Sequence, residues 1–469
     1  MDRRTLIKIG GAVALSGTIA AGDPGGRPGP RPVTGLKNRV KGPVLFPGDK
    51  DFAAETRGYN PIVTHRPQAV VVASDAADVA AAVAFASMNG LPVAVQSTGH
   101  GIGASARDGI LINTRKLDHV IVHPDRRTAR IGGGARVRAV VESAAAAGLA
   151  MLNGSSLDVG AVGYTLGGGL GPFGRRYGYA ADHVRSIDLV TPWGRALRVT
   201  PRAHRDLFWA LRGGRSNFGV VTGMEIDLFP IPAVYGGALL FPGAAAPQVL
   251  AAYAGLRLPD AMTTSLAFLR APGKPMVIRV TAAFLGTKAA GEQLLAPLLG
   301  LGPIQNTLAV VPYAKVGTIY NDPPAAPMPV HERSAFLGSF PVERLLAAAG
   351  PDAQLPPGMV EVRQLGGALS REPRLDSAIG HRKGAAHLLF LASPAPAEQA
   401  APVAAAQQKV LDTLKADLSG GTLPTFMSAA DISPERVRAA YEPRDYARLL
   451  RIKKNYDPRN LFRVNHNLR

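Results

Sequence analysis

The chain has 469 residues, which is too long for one hydrophobic core and predicts two or more domains. Hydrophobic residues make up 46% and charged residues 19% of it, close to globular averages, so a fibrous or generally disordered protein is excluded. The absence of cysteine excludes disulfides, iron–sulfur clusters and thiolate zinc sites.

The formal net charge of +19 allows two interpretations. It is either a solvated basic surface or an attraction to nucleic acid or anionic membrane. The Lys and Arg residues are scattered, acids alternate with them even in the Arg-rich stretch 436–469, and no recognition helix or zinc-finger spacing occurs. We therefore expect a solvated surface and no nucleic-acid partner, with nucleic-acid binding as the weaker alternative.

The N-terminal segment MDRRTLIKIGGAVALSGTIAAG, residues 1–22, places Arg3 and Arg4 before Lys8 and a modest apolar stretch that ends in small residues. It resembles a twin-arginine export signal, although a frayed basic N-terminus is an alternative. We expect the twin-arginine machinery to be a partner, the protein to be exported, and the mature chain to have no stable membrane insertion after cleavage.

Beyond a Pro- and Gly-rich linker at Asp23–Val33, the first predicted elements form a β-α-β unit. QAVVVAS and PVAVQ are predicted strands, joined by the helix DAADVAAAVAFASMNG with Ser74 as its N-cap and Gly90 as its end. GILIN, HVIVH and RTARIG are further short strands, and ARVRAVVESAAAAG is a helix. Together these elements predict an opening α+β lobe.

The following elements predict a second lobe, a sheet domain and a helical tail. VRSIDLVT, RALRVT and FGVVTGMEIDLFP are strands around the helix AHRDLFWALRG. Between about Ala233 and Lys415, strands such as SLAFL, MVIRVTAAFL, MVEVRQL and HLLFLAS alternate with Ala- and Leu-rich helices, which predicts an antiparallel sheet with helices on one face. In the tail, Pro443 should interrupt the helix ERVRAAYEPRDYARLLRIKKNY.

A glycine-rich loop, QSTGHGIGAS, follows the predicted strand PVAVQ and carries His100. Gly99, Gly101 and Gly103 would let backbone amides approach a phosphate while leaving this histidine accessible. A single histidine is more often a hydrogen-bonded structural residue, so the interpretation depends on its context.

That context is a second loop, GSSLDVGAVGYTLGGGLGPFG, in which six glycines fall between Gly160 and Gly171. Such crowding is tolerated where backbone lies against a flat or charged ligand, and a nucleotide is the natural candidate. Gly169–Gly174 also match the dinucleotide pattern G-x-G-x-x-G. No apolar strand leads into that pattern, and Pro172 and Gly178 disfavour the helix that should follow, so a Rossmann site is disfavoured.

Four segments occur in a family-specific order: PVAVQSTGHG, VGYTLGGGLG, DLFWALRGGRSNFGVVT and YARLLRIKKNYDPRNLFRVNHNL. In this order the chain resembles berberine-bridge-enzyme-like flavoproteins of the vanillyl-alcohol oxidase family. The resemblance implies an α+β fold: a two-lobed PCMH-type FAD-binding domain over 61–232 and an antiparallel-sheet substrate domain over 233–415. It further implies a linker and N-terminal arm over 23–60 and a C-terminal segment over 416–469 that returns to the FAD domain.

The resemblance also implies FAD as the cofactor and assigns residues to it. His100 matches the histidine joined to the methyl group of the flavin's benzenoid ring, a link that withdraws electrons. Asn465 would approach the pyrimidine edge of the flavin. The residues implied at the pyrophosphate are Ser97, Thr98, Gly99, Gly101 and Ser105, with Ser155, Gly160, Gly167, Gly168 and Gly169; those bordering the adenosine half are Asn217, Gly219 and Val221.

The chain departs from the family at two places. Ser156 stands where many relatives attach the flavin a second time through cysteine, so we expect a singly attached FAD, a lower flavin potential and a more open pocket. Relatives also place a Tyr or Glu before the tail as a base, but GTLPTFMSAAD has no ionisable side chain at Leu423, Thr425 or Met427.

The catalytic residues are therefore unassigned at this level. Tyr164, Tyr320 and His381 could reach the pocket, although each is more simply explained as structural. The segment HERSA at His331 lacks the second histidine of a metalloprotease helix, so no metal site is predicted.

These patterns predict an FAD-linked oxidoreductase, specifically an oxidase. Hydride would pass from a C–H bond of an alcohol, sugar or secondary metabolite to the flavin, and oxygen would take the electrons. The alternative is an exported flavin-binding protein, or a non-redox catalyst that keeps FAD as a structural group.

Overall fold

Three β-sheets organise the chain in the computed structural model, which describes residues 33–322 and 326–469. The signal-like segment 1–22 and all but the last residue of the predicted linker lie outside the described residues. The strands are β1 (Val44–Leu45), β2 (Ala69–Val72), β3 (Val93–Gln96), β4 (Ile110–Asn113), β5 (Val120–His123), β6 (Thr128–Gly132), β7 (Val184–Val190), β8 (Ala196–Val199), β9 (Val220–Asp227), β10 (Ala233–Pro242), β11 (Met262–Arg270), β12 (Val277–Phe284), β13 (Gln305–Asn306), β14 (Ala309–Pro312), β15 (His331–Leu337), β16 (Gly358–Gln364), β17 (Ala386–Ala392) and β18 (Leu418–Gly420). The α-helices are α1 (Phe52–Thr56), α2 (Ala76–Met88), α3 (Val137–Ala145), α4 (Ala161–Leu166), α5 (Gly174–Tyr177), α6 (Arg205–Gly214), α7 (Ala246–Gly255), α8 (Lys288–Leu299), α9 (Val342–Ala349), α10 (Ala400–Thr413), α11 (Pro434–Ala439) and α12 (Pro443–Tyr456).

The first sheet has the order β1-β2-β4-β3 and contains the predicted β-α-β unit. β2 and β3 both run parallel to β4, which lies between them. Helix α2 covers this sheet, but its N-cap is Asp75 and not Ser74 as predicted. The Asp75 carboxylate accepts from the backbone N–H groups of Ala77 and Asp78, whereas the N–H of Ser74 donates to the Asp78 carboxylate.

The second sheet is antiparallel, with the order β5-β6-β9-β7-β8. The hairpin β5-β6 therefore belongs here, and its predicted place in the opening lobe is wrong. The physical reason is the pairing of β6 with β9, which joins strands about ninety residues apart and leaves no trace in local sequence. Trp209 and Phe208 of α6 are buried against this sheet, in a core that also includes α12.

The third sheet is nine-stranded, and each of its pairings within the described residues is antiparallel. Helices α7 to α10 pack on one of its faces through apolar residues such as Leu250, Leu298, Leu345 and Val410. This arrangement confirms the predicted α+β class and the sheet with helices on one face. The change of sheet falls between Asp227 and Ala233, while the domain limits themselves stay a prediction.

The tail returns to the first half of the chain. Pro443 is the first residue of α12 and separates it from α11, as the sequence predicted. The buried Lys453 ammonium donates to the Asp457 carboxylate at 2.7 Å and to the backbone oxygen of Asn217 at 2.7 Å. These bonds fix the last residues, including Leu461, beside β3.

Among the helices of residues 33–322 and 326–469, none has both the length and the apolar character needed to cross a membrane.

Candidate functional site

A cavity of about 610 Å³ lies where the first two sheets meet the bare face of the nine-stranded sheet. Two surfaces enclose it. The flavin wall consists of the loop 97–104 after β3, the loop 154–160 before α4, and residues 464–466 of the tail. The substrate wall consists of side chains from β11, β12, β15, β16 and β17.

His100 occupies the centre of the flavin wall. Its ring stacks on Tyr59 with centroids 3.9 Å apart and planes 8° apart, and Nδ1 lies 2.9 Å from the Thr98 hydroxyl. Burial lowers the pKa of His100 to about 4, with the charge of Arg136 acting in the same direction. The imidazole is therefore neutral at physiological pH, which is the nucleophilic form of the ring.

The residues predicted to bind FAD divide into two groups. Those that line the cavity are Ser97, Thr98, Gly99, His100, Gly101, Ser155, Gly160, Gly219, Val221 and Asn465. Those placed outside its lining are Ser105, Gly167, Gly168, Gly169 and Asn217.

The second group has structural partners. The Ser105 hydroxyl donates to the backbone oxygen of Thr64, and the Asn217 amide donates to the backbone oxygens of Gly214 and His466. These two side chains therefore fix loops beside the cavity and do not line it.

Gly167, Gly168 and Gly169 are explained by close packing. A Cβ at Gly167 would lie 2.6 Å from Thr425 Cα, and one at Gly169 would lie 2.7 Å from the Tyr164 ring. Gly168 and Gly169 also have positive φ. The glycine run thus lets this loop pass the segment before the tail, and it is not directed at the cavity.

Gly101 and Gly103 make room for side chains. A Cβ at Gly101 would lie 2.9 Å from Arg215 Nη2, and one at Gly103 would lie 2.7 Å from the His466 ring. The sequence interpretation, in which these glycines admit a phosphate, missed both side chains. No local pattern could have identified them, because they lie more than 100 residues away in sequence.

At the C-terminal tail, the lining of the cavity has a group that fits a flavin. Asn465 donates through Nδ2 to the backbone oxygens of Ser216 and Phe462, at 3.2 and 3.0 Å. Its Oδ1 is buried and has no hydrogen-bond partner among the described residues. An unpaired buried acceptor is costly, and the imide N–H of a flavin is a donor of the matching kind.

The substrate wall is mainly apolar. Leu269, Met359, Leu389 and Leu391 line it together with Phe426. Three charged side chains interrupt this surface: Arg279, Glu332 and Arg363. Arg363 is paired with Glu361 of the same strand at 2.8 Å and lies over the Phe426 ring.

Glu332, the second residue of β15, is an ionisable group at the cavity that sequence reasoning missed, and Asp322, whose pKa burial also raises, is another. Burial raises the pKa of Glu332 to about 7, and the charge of Asp431 adds to this, while Arg363 and Arg215 oppose it. The only signal for Glu332 in the sequence was an acidic residue in the polar first half of the strand HERSAFL, which ends in apolar residues.

The predicted alternatives for the base fare differently. Tyr164 lines the cavity, but its hydroxyl is buried without a partner among the described residues, and burial raises its pKa. Tyr320 lies outside the lining, and burial raises its pKa to about 12. His381 is remote, with its ring against the Ala439 backbone oxygen at 3.1 Å. The sequence analysis allowed Tyr320 and His381 to reach the pocket, but neither residue lines it.

The segment before the tail has no ionisable side chain at the cavity. Thr425, Phe426 and Met427 line it, whereas Leu423 is fully buried in a separate apolar cluster. Ser156, at the position of the second attachment in relatives, also lines the cavity. The two departures from the family pattern, Ser156 in place of cysteine and the segment without a base before the tail, therefore both lie at the cavity.

Comparison with known proteins identifies the fold. Residues 67–200 match the FAD binding domain family, and residues 415–469 match the berberine and berberine-like family. These matches identify the chain as an FAD-linked oxidoreductase with a berberine-like C-terminal segment. The predicted family, enzyme class and PCMH-type fold are therefore confirmed, and FAD is the cofactor that this family binds.

Individual relatives cover nearly the whole chain. The (R)-6-hydroxynicotine oxidase of Paenarthrobacter nicotinovorans is 29% identical over 462 residues, which is 92% of this chain and 97% of the relative. The structure of 6-hydroxy-D-nicotine oxidase from Arthrobacter nicotinovorans superposes with a TM-score of 0.82 at 26% identity, covering 94% of this chain and all of that one. A xylooligosaccharide oxidase from Myceliophthora thermophila C1 superposes with a TM-score of 0.78 at 20% identity, covering 92% of this chain and 98% of that one.

Proposed function

We propose that this FAD-linked oxidoreductase is an exported oxidase that attaches FAD once, through His100, and oxidises a small, largely apolar molecule with oxygen as electron acceptor. The observation that carries the proposal is the neutral His100 ring, held in the cavity by Tyr59 and Thr98. FAD, when bound, supplies the acceptor for hydride.

Attachment through His100 follows from the chemistry of the ring. A nitrogen must be unprotonated to form a bond to carbon, and the lowered pKa of His100 keeps the ring in that state. Stacking on Tyr59 fixes the plane of the ring, so its orientation is set before the cofactor arrives. Ser156 leaves the second attachment without a nucleophile of sufficient strength.

The remaining predicted residues have proposed roles that follow their placement. Ser97, Thr98, Gly99, Gly101, Ser155 and Gly160 hold the pyrophosphate, and Gly219 and Val221 border the adenosine half. Asn465 offers Oδ1 to the flavin imide. We assign the five predicted residues outside the lining to the support of these loops.

The substrate wall favours an apolar or aromatic molecule over an oligosaccharide. Sugar hydroxyls need many polar partners, because each buried hydroxyl left unpaired costs free energy. Here the wall is mostly Leu and Met, with Phe426 beside them. In this respect we infer a substrate closer to that of the nicotine-derivative oxidase than to that of the xylooligosaccharide oxidase.

Glu332 is the proposed proton acceptor for the substrate. A carboxylate with a pKa of about 7 is ionised in part at neutral pH and is basic enough to take a proton from a substrate hydroxyl or ammonium group. The apolar side chains around it exclude water and keep its pKa raised.

Export through the twin-arginine machinery completes the proposal. That route carries folded proteins, so it suits a chain that acquires FAD before it leaves the cytoplasm. Replacing Arg3 and Arg4 by Lys should then retain the protein in the cytoplasm, and unchanged export would contradict this part of the proposal.

The test of the function is direct. The purified protein is precipitated with acid, the pellet is digested, and the flavin-carrying peptide is identified; we expect the peptide that contains His100. Peroxide formation is then measured across a panel of amines, aromatic alcohols and oligosaccharides. Covalent flavin with no turnover on any compound would favour the alternative, in which FAD is retained by a non-redox catalyst or binding protein.

A further inference from the structure

Arg279, on β12, places a cation in the mainly apolar substrate wall. Alternate residues of a strand face opposite sides of its sheet. Ile278 and Val280 are buried in the core beneath the helices, so Arg279 points to the other side, where it lines the cavity. A charge among apolar side chains is costly unless it has a partner, and the contacts of Arg279 show which kind of partner fits.

Most donors of the Arg279 guanidinium lack a good acceptor. Nη1 donates to the Tyr320 backbone oxygen at 3.3 Å. Nη2 lies 4.0 Å from Met359 Sδ, a weak acceptor, and Nε is buried with no hydrogen-bond partner among the described residues. Nε and Nη2 are neighbouring donors on one edge of the group, an arrangement that a carboxylate binds with two parallel hydrogen bonds.

The charge of Arg279 has no partner at contact distance. In the part of the chain that the structure describes, no carboxylate lies within 4.0 Å of its guanidinium. Glu361 is paired with Arg363 at 2.8 Å. Asp322 is near enough to respond, since burial raises its pKa and the charge of Arg279 opposes this rise, but it lies beyond that distance. An unpaired guanidinium at the edge of an apolar wall favours an anionic group in the cavity.

Met359 can give way to such a group. Its side chain is unbranched and flexible, and its thioether is a poor acceptor for a cation. A carboxylate would therefore replace it on Nη2 of Arg279 at little cost. The exchange would also give the buried Nε an acceptor, which removes the free-energy cost of an unsatisfied donor.

A row of apolar side chains connects Arg279 with the opposite end of the substrate wall. The row consists of direct cross-strand partners on β11, β16 and β17: Leu269, Met359 and Leu391. It ends at Glu332 on β15, and at its other end it meets Val277, two residues before Arg279 on the same face of β12. β12 and β15 are four steps apart in the sheet, which is roughly 19 Å. A molecule that reaches from one end to the other is therefore elongated, with an apolar middle.

We propose that Arg279 binds a carboxylate of the substrate through Nε and Nη2, and that the substrate is an elongated apolar acid whose oxidised carbon lies at the Glu332 end. This inference rests on the proposed function, because it takes Glu332 as the proton acceptor. It narrows the substrate class from an apolar molecule to an apolar carboxylic acid. The apolar row keeps the acid away from the Glu332 carboxylate, which would otherwise repel it.

Equilibrium binding to the purified holoenzyme tests the proposal, measured by isothermal titration calorimetry. The probes are benzoate, naphthoate and biphenylcarboxylate, each compared with its own primary amide, which has a similar shape and no charge. None carries an alcohol or amine for the flavin to oxidise, so binding is measured without turnover. We expect at least one acid to bind about 10- to 100-fold more tightly than its amide, the effect of a charged hydrogen-bonded pair. Equal affinities within every pair, or no binding of any acid, would overturn the proposal.

Three variants assign the preference to one side chain. Arg279→Gln removes the cation and should abolish the preference, with little change in the affinity for the amides. Arg279→Lys keeps the charge but loses the paired donors, so it should retain part of the preference. Arg257→Gln is the matched control, because Arg257 is exposed between α7 and β11, outside the cavity lining, and loses the same charge. It should keep the wild-type preference.

A purely structural Arg279 would give a different result. Arg279→Gln would then lower the midpoint of thermal unfolding without changing the ratio of the two affinities, and this outcome would overturn the proposal. The wild-type comparison needs no variant, so it decides the question even where Arg279→Gln folds poorly.

Failure of this proposal is distinguishable from failure of the proposed function. Peroxide formation from uncharged alcohols, together with equal binding of acids and amides, would overturn the carboxylate site and leave the oxidase. A clear preference for acids without peroxide formation from any compound would contradict the oxidase and leave the carboxylate site.

Discussion

The flavin wall and the substrate wall of the cavity are built in different ways. The flavin wall is made of short continuous segments, such as loop 97–104, that present backbone groups and small side chains. The substrate wall is made of single side chains from strands that lie far apart in sequence; Leu269 and Leu391, for example, are about 120 residues apart. A backbone surface constrains consecutive residues and leaves a motif, whereas a wall of isolated side chains leaves none.

The largest expected effect concerns the flavin wall. His100→Ala removes the only ring nitrogen that we assign to attachment, so covalent flavin should be lost completely while extractable FAD remains bound. The measurement is flavin absorbance in the acid-precipitated pellet. His123→Ala, on β5 and outside the cavity lining, is the control and should keep all of its covalent flavin. Flavin that stays with the His100→Ala pellet would show that the link lies elsewhere.

A large effect is expected from one residue of the substrate wall. Glu332→Gln keeps the shape of the side chain but removes the proton acceptor, so flavin reduction by substrate should slow about 100-fold or more. In the wild type this rate should rise with pH through about 7, as the carboxyl loses its proton; burial and the charge of Asp431 oppose this loss, and the charges of Arg363 and Arg215 favour it. The variant should lose that dependence.

Stopped-flow reduction at pH 6 to 8 measures both properties. Glu225→Gln, on β9 and outside the cavity lining, provides the control for a lost carboxylate. A Glu332→Gln enzyme with an unaltered pH profile would contradict the assignment of the base.

The raised pKa of Glu332 also predicts how the free energy of unfolding depends on pH. Glu332 has a higher pKa in the folded protein than in the unfolded chain, so the folded state holds the proton more tightly. The free energy of unfolding of the flavin-free protein should therefore fall as pH rises from about 4.5 to about 7, by at most about 3 kcal/mol. Urea unfolding at intermediate pH values should show this slope, and Glu332→Gln should flatten it.

The difference between the two walls explains which features of the fold and of the site could be predicted from the sequence. The family, the α+β class, the attachment candidate His100 and the lack of a base before the tail follow from continuous segments. Tyr59, Arg279 and Glu332 could not be found, because their roles depend on which distant elements meet at the cavity. The place of the hairpin β5-β6 was mispredicted for the same reason, since its partner β9 is distant in sequence.

A moderate effect is expected from crowding the flavin wall. Gly103→Ala would place a methyl group 2.7 Å from the His466 ring, which is itself held by Ser428 and Arg215 and cannot move freely. Overpacking of this kind costs about 1–3 kcal/mol. Urea unfolding should show the loss. A Gly103→Ala protein of wild-type stability would mean that the His466 segment of the tail shifts at little cost to make room for the methyl group.

The smallest effect is expected from a glycine on the outer side of the substrate domain. Gly255 is the last residue of α7, its φ is not positive, and a Cβ built there meets nothing within 4 Å. Gly255→Ala should therefore raise the free energy of unfolding by about 0.5–1 kcal/mol, because alanine loses less conformational entropy in a helix. Urea unfolding measures the gain, and covalent flavin content should not change. A loss of stability here would show that glycines outside the flavin wall are also required by packing, and the contrast between the two surfaces would then be weaker than their geometry indicates.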